Sequence, residues 1–137
     1  CHNFGKVIPI ELDKERFEQL LHNLNLYNIN NAYTDGCNGS CLDIIPDIEM
    51  NIDCIYLDVP WGGSDYKLVD KIELQLGDID IDKIIISFFE KRPELKLIVA
   101  KLPKNYNYES LLEKLKDYNF FVNHEIKKID ILLVERK

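Results

Sequence analysis

Apolar residues recur along this chain in two rhythms. Phe17, Leu20, Leu21 and Leu24 fall at i, i+3, i+4 and i+7, which lays one stripe along an α-helix. Asp13 stands just ahead as an N-cap, so the pattern predicts a helix running to about Leu26. Ile81, Ile84, Ile85 and Phe88 predict a second helix, stopped by Pro93, and Leu111, Leu112 and Leu115 after Asn107 predict a third. Residues 41–45 amount to one helical turn at most, ended by Pro46. Between these lie apolar runs too short for helices: residues 7–10 closed by Glu11, then 31–34, 53–57 and 95–102. Ile72, Leu74 and Leu76 alternate with Glu73 and Gln75, an extended segment covered on one face. Residues 120–125 and 129–134 read as strands so close in sequence that only an antiparallel pairing can join them. Strand, helix, strand, short helix, strand is an α/β order, favouring a parallel sheet with helices on its faces and an antiparallel hairpin at its end.

With 137 residues and 46% hydrophobic composition, the chain reads as one domain, residues 1–137. No run of eighteen apolar residues and no secretion-type leader occurs, which predicts an intracellular protein, nuclear or cytoplasmic. The net charge of −7 argues against a broad nucleic-acid surface, so an RNA partner would be gripped locally. Among the four cysteines, Cys37 and Cys41 have a permissible ligand spacing, but no second pair follows. No metal is expected, and reduced thiols are the default reading. Asp35-Gly36 and Asn38-Gly39 supply turn residues.

The chemistry gathers at residues 58–66, Asp58-Val59-Pro60-Trp61-Gly62-Gly63-Ser64-Asp65-Tyr66. An apolar strand runs into them and delivers a carboxylate, a proline and the only tryptophan into one turn. Pro60 fixes φ and removes a donor, and Gly62-Gly63 lets the backbone turn sharply. A strand-end carboxylate with an aromatic on a glycine-rich loop suits a flat, amine-bearing substrate. The plain alternative is a turn whose tryptophan fills the core.

This stretch resembles the Asp/Ser-Pro-Pro-Trp-Gly-Gly-x-Asp-Tyr signature of the RNA cap guanine-N2 methyltransferases, the trimethylguanosine synthase family. Val59 replaces the first proline, and Ser64 stands where proline is frequent. The likeness extends from about Phe4 to the C-terminus. It implies a class I, Rossmann-like methyltransferase fold, S-adenosylmethionine as cofactor and 7-methylguanosine-capped RNA as partner. It implies transfer of methyl to the exocyclic N2 amine of the cap, toward 2,2,7-trimethylguanosine.

Carried residue by residue, the resemblance gives Asp58 and Pro60 the catalytic positions. Asp58 and the Val59 carbonyl would hold the amine, and Trp61 would stack on the cationic purine. Lys104 and Asn105, in Leu102-Pro103-Lys104-Asn105, match a segment whose basic residue approaches the cap phosphates. Glu11 would accept from the cofactor ribose, Ser40 and Cys41 would face its adenine, and Asp58 would border the same pocket. Ser40 stands where the family usually has aspartate. The family's first strand and glycine-rich loop would precede Cys1. The chain is accordingly read as incomplete at its N-terminus, with little methyl transfer expected from these residues alone. Two other readings stay open: an amino-methyltransferase acting on adenine or glutamine, and a non-catalytic module that binds caps or proteins.

Overall fold

The computed structural model describes residues 4–32 and 36–137. They divide into two compact units with the boundary between Glu49 and Met50.

In the first unit, strand β1 (Ile10–Glu11) pairs in parallel with β2 (Cys37–Asn38), and helix α1 (Lys14–Leu26) connects them. Glu11 stands opposite Asn38, so the carboxyl ends of both strands open on the same edge. Asp13 caps α1 by accepting a hydrogen bond from the Arg16 N–H at 2.9 Å. Phe17, Leu20, Leu21 and Leu24 are the half-buried residues of α1, the stripe that the periodicity predicts. Gly36 has φ +43°, and a Cβ there would stand 2.6 Å from the Phe17 ring, so the position requires glycine on both counts.

Three local expectations change in this unit. Only Ile10 and Glu11 form regular strand, because Val7 makes a single parallel bridge to Ala32. Residues 33–35 of the predicted second strand and its turn lie outside the described residues. Asn38, read as a turn residue, is in β2, and its amide donates to the Glu11 carbonyl at 2.9 Å. Helix α2 (Cys41–Asp47) runs on through Pro46 rather than ending at it. Ser40 caps its start, and a proline in the last turn forfeits one intrahelical bond.

The second unit is built on a sheet of order β3-β6-β8-β7. Strand β3 (Cys54–Leu57) lies parallel to β6 (Leu97–Pro103). Strand β8 (Ile129–Arg136) is antiparallel to both β6 and β7 (Tyr118–Asn123), which is the predicted terminal hairpin. A short hairpin of β4 (Gln75–Leu76) and β5 (Ile79–Asp80), turned at Gly77, leads into helix α3 (Ile81–Lys91). Helix α4 (Tyr108–Lys114) joins β6 to β7.

Alternation along these strands sorts the side chains by face. Ile55, Leu57, Ile98, Ala100, Leu102, Leu132 and Val134 are buried and share one face through the register. With them the core contains Ile81, Ile84, Ile85, Phe88 and Phe89 of α3 and Leu111 and Leu115 around α4. The extended reading of residues 72–76 narrows to β4, preceded by a parallel bridge from Ile72 to Tyr106. Among the described residues, no helix is long and apolar enough to cross a membrane.

Candidate active site

Strand β3 ends at Leu57, which is paired with Ala100 of β6. One step further on, Asp58 leaves the carboxyl end of β3, the edge where open α/β sheets bind ligands, beside Lys101, which is still within β6. The Lys101 ammonium donates to Asp58 Oδ2 at 2.7 Å, and the same nitrogen lies 5.4 Å from the centroid of the Trp61 ring. The bond to Asp58 pushes the Lys101 amine above its ordinary value. Carboxylate and indole therefore share one cation, Lys101.

The turn that presents the indole is shaped by its sequence. Val59 is buried and anchors the start, while Pro60 is exposed. Gly62 and Gly63 have φ +83° and +81°, and a Cβ at either would meet nothing, so the backbone alone demands glycine there. A 3-10 turn (Ser64–Leu68) follows, and Tyr66 meets Trp61 edge to face with centroids 5.3 Å apart. Asn105 then pins this loop by donating its side-chain amide to the carbonyls of Tyr66 and Val69, each at 2.7 Å. Backbone bonds from the Ile72 N–H to the Asn105 carbonyl and from the Asn107 N–H to the Ile72 carbonyl, both 2.9 Å, extend the seam.

Trp61, Pro60, Tyr66, Ile72 and Leu74 line a cleft of about 460 Å³, with Asp65 and Glu73 among the polar groups at its wall. The indole is half-buried, and its N–H finds no acceptor among the described residues. Trp61 is thus neither deep in the core nor free in solvent, and it offers a broad apolar surface to the cleft.

Lys104 is committed elsewhere. Its ammonium meets Asp130 Oδ1 at 2.5 Å and the His124 carbonyl at 2.6 Å. Asp130, 1% exposed, also accepts from the Tyr108 hydroxyl at 2.9 Å and faces His124 Nδ1 at 2.9 Å. Burial by itself would raise the Asp130 carboxyl, but bonds from Lys104, Tyr108 and His124 outweigh it and hold the group below the ordinary carboxylate value.

Of the residues expected at the cofactor, Glu11, Ser40 and Cys41 lie in the first unit and Asp58 in the second. Glu11 closes β1, and one of its carboxylate oxygens accepts from the Asp13 N–H at 2.9 Å. Ser40 Oγ accepts from the Leu42 N–H at 3.2 Å as the α2 cap. Burial raises the Cys41 thiol, with partial relief from a backbone hydrogen bond. Cys37, Cys41 and Cys54 are free, and among the described residues no group of three acidic, Cys or His side chains is placed to hold a metal ion.

Sequence reading missed Lys101 because a lysine inside an apolar strand carries no motif. Only the β3–β6 register brings it to Asp58. It missed Asp130 as well, although an acid at an inward position of Ile129-Asp130-Ile131 breaks the alternation and was a readable signal.

A mixed α/β chain with four helices in its described residues, and a strand-end carboxylate beside an indole, agrees with a methyltransferase domain. The chain belongs to the RNA cap guanine-N2 methyltransferase family, whose model matches residues 1–137. It is 30% identical over 138 residues to an uncharacterized protein of Acanthamoeba polyphaga mimivirus, covering 98% of this chain and 53% of that protein. It is 27% identical over 108 residues to the trimethylguanosine synthase of Schizosaccharomyces pombe, covering 77% of this chain and 44% of that one. The chain therefore spans about half the length of the curated relatives it matches. The family implies an enzyme that uses a methyl donor.

Proposed function

We propose that this chain carries the acceptor side of an enzyme that methylates the exocyclic N2 amine of 7-methylguanosine RNA caps, with S-adenosylmethionine as donor. The observation that carries the reading is the convergence of Asp58 and Trp61 on one positive charge. A 7-methylguanine ring is itself cationic and flat, so it suits both groups at once. Stacking on Trp61 should favour it over guanine by about 1–2 kcal/mol, roughly tenfold in affinity. The exocyclic amine is a poor nucleophile because its lone pair is delocalised into the ring. Asp58 and the Val59 carbonyl would accept its two N–H bonds and hold it in one orientation, which lowers the entropic part of the barrier. As positive charge develops on nitrogen, the carboxylate stabilises it and takes the released proton. Pro60 keeps that short segment in a single conformation.

S-adenosylmethionine, when bound, supplies an electrophilic methyl group. The donor set of the first unit fits its adenosine end. Glu11 is an acceptor-only carboxylate that suits vicinal ribose hydroxyls, and Ser40 with Cys41 opens α2 just after Asn38, the strand partner of Glu11. The observed strand orders, a parallel β1–β2 pair and β3-β6-β8-β7 ending in an antiparallel hairpin, support a Rossmann-like plan for the same reading.

The test is a fluorescence titration of the full-length protein, with Trp61→Phe as blank. Quenching at roughly tenfold lower concentration of 7-methylguanosine diphosphate than of guanosine diphosphate is expected. Equal quenching by the two nucleotides would sink the cap assignment.

A further inference from the structure

Lys101 lies where the ligand is wanted. Its nitrogen is 2.7 Å from Asp58 Oδ2 and 5.4 Å from the Trp61 centroid, and its side chain is 29% exposed. Each of these contacts is one that a cationic purine would also claim. An ammonium and a purine cation cannot both occupy them, because two like charges at contact distance repel and each removes the other's partner. Among the described residues, the Lys101 ammonium is held by a partly exposed ion pair and one ring face, so its displacement is inexpensive. Four methylene groups give it room to swing aside.

We propose that Lys101 is a specificity-determining residue of the acceptor pocket: its ammonium fills the Asp58–Trp61 cation site in the ligand-free protein, and only a ligand able to take over both contacts displaces it. A neutral ring can stack on Trp61, but it leaves Asp58 and Lys101 competing with it for the same space. The cationic ring compensates both partners that the lysine leaves. Lys101 thus sets a threshold that a merely flat ligand does not pass. The inference deepens the proposed function, since it rests on the same pocket taking a methylated, positively charged base.

Its test uses nucleosides without phosphates, so that attraction of Lys101 to a phosphate does not enter. Binding of 7-methylguanosine and of guanosine to the full-length protein is measured by calorimetry for wild type, Lys101→Met, Lys101→Gln and Lys101→Arg. Circular dichroism and thermal unfolding establish that each variant is folded. Both neutral variants should bind 7-methylguanosine about three- to tenfold more tightly than wild type, in line with an exposed ion pair and one cation–π contact. Guanosine, freed from the same competition, should tighten by more than that, so that the preference for 7-methylguanosine narrows, and Lys101→Arg should behave as wild type. Unchanged or weaker binding of 7-methylguanosine by both neutral variants would overturn the inference, as would equal tightening by the arginine variant. The proposed function fails separately: wild type that does not distinguish the two nucleosides sinks the cap reading. The inference about Lys101 is then still decided by whether its neutral variants bind the cation more tightly.

Discussion

Lys104 and Asp130 meet at 2.5 Å, and the acid is 1% exposed while the lysine side chain is 38% exposed. A buried carboxylate of this kind is costly unless its partners stay. Lys104→Ala is expected to destabilise the fold by about 1–2 kcal/mol, less than the roughly 3–5 kcal/mol of a fully enclosed pair, because Tyr108 and His124 remain on the carboxylate. Urea denaturation checks this.

The same carboxylate gives a pH signature. Its folded value lies below the ordinary one, so it contributes stability that is present above the unfolded value near 3.8 and is lost as pH falls through the folded value. Asp130→Asn should remove that contribution. Thermal midpoints measured from pH 6 to pH 3 should show a shallower acid decline in the variant than in wild type.

Asn105 supports the loop that carries the indole. Asn105→Ala removes both bonds to the Tyr66 and Val69 carbonyls and frees the loop after Trp61. Affinity for 7-methylguanosine diphosphate should fall about tenfold or more, with a stability loss of about 1–2 kcal/mol. A titration paired with a denaturation curve separates the two effects.

Gly62→Ala and Gly63→Ala probe the backbone by itself. Neither new methyl would clash, so each costs backbone strain alone, and Gly63, at φ +81° and ψ −155°, lies in a region essentially reserved for glycine, so that its variant should lose about 1–3 kcal/mol. Cap binding should weaken while the helical signal in circular dichroism is unchanged.

Asp58→Asn keeps the size of the side chain and removes its charge. On the proposed reading, transfer of labelled methyl to capped RNA by the full-length protein should drop about 10²- to 10⁴-fold in kcat, with a small change in KM. Trp61→Ala should raise KM most strongly.

Periodicity and capping were enough to read α1, α3 and the terminal hairpin, because each rests on local pattern. Asp13 caps where the sequence places a cap, and the α1 stripe is the half-buried one. The β4–β5 hairpin was not legible, since Ile79 and Asp80 run directly into a strong helical repeat that masks two residues of strand. The turn bearing Asp58 and Trp61 was readable as a signature. The side chains around it were not, because Lys101 reaches them through strand register and Asn105 through loop packing. The resemblance gives Lys104 an approach to the cap phosphates and Asn105 a place at the substrate, and the bonds both side chains make within the fold carry no motif of their own.

The single amide of Asn105 has an evolutionary corollary. The aromatic platform hangs from a loop fastened at two carbonyls by one residue of a neighbouring strand end. A descendant adapting to a differently shaped base would not need to rebuild the sheet. Relocating that one fastening would tilt the platform, while the hydrophobic interior beneath stayed as it is.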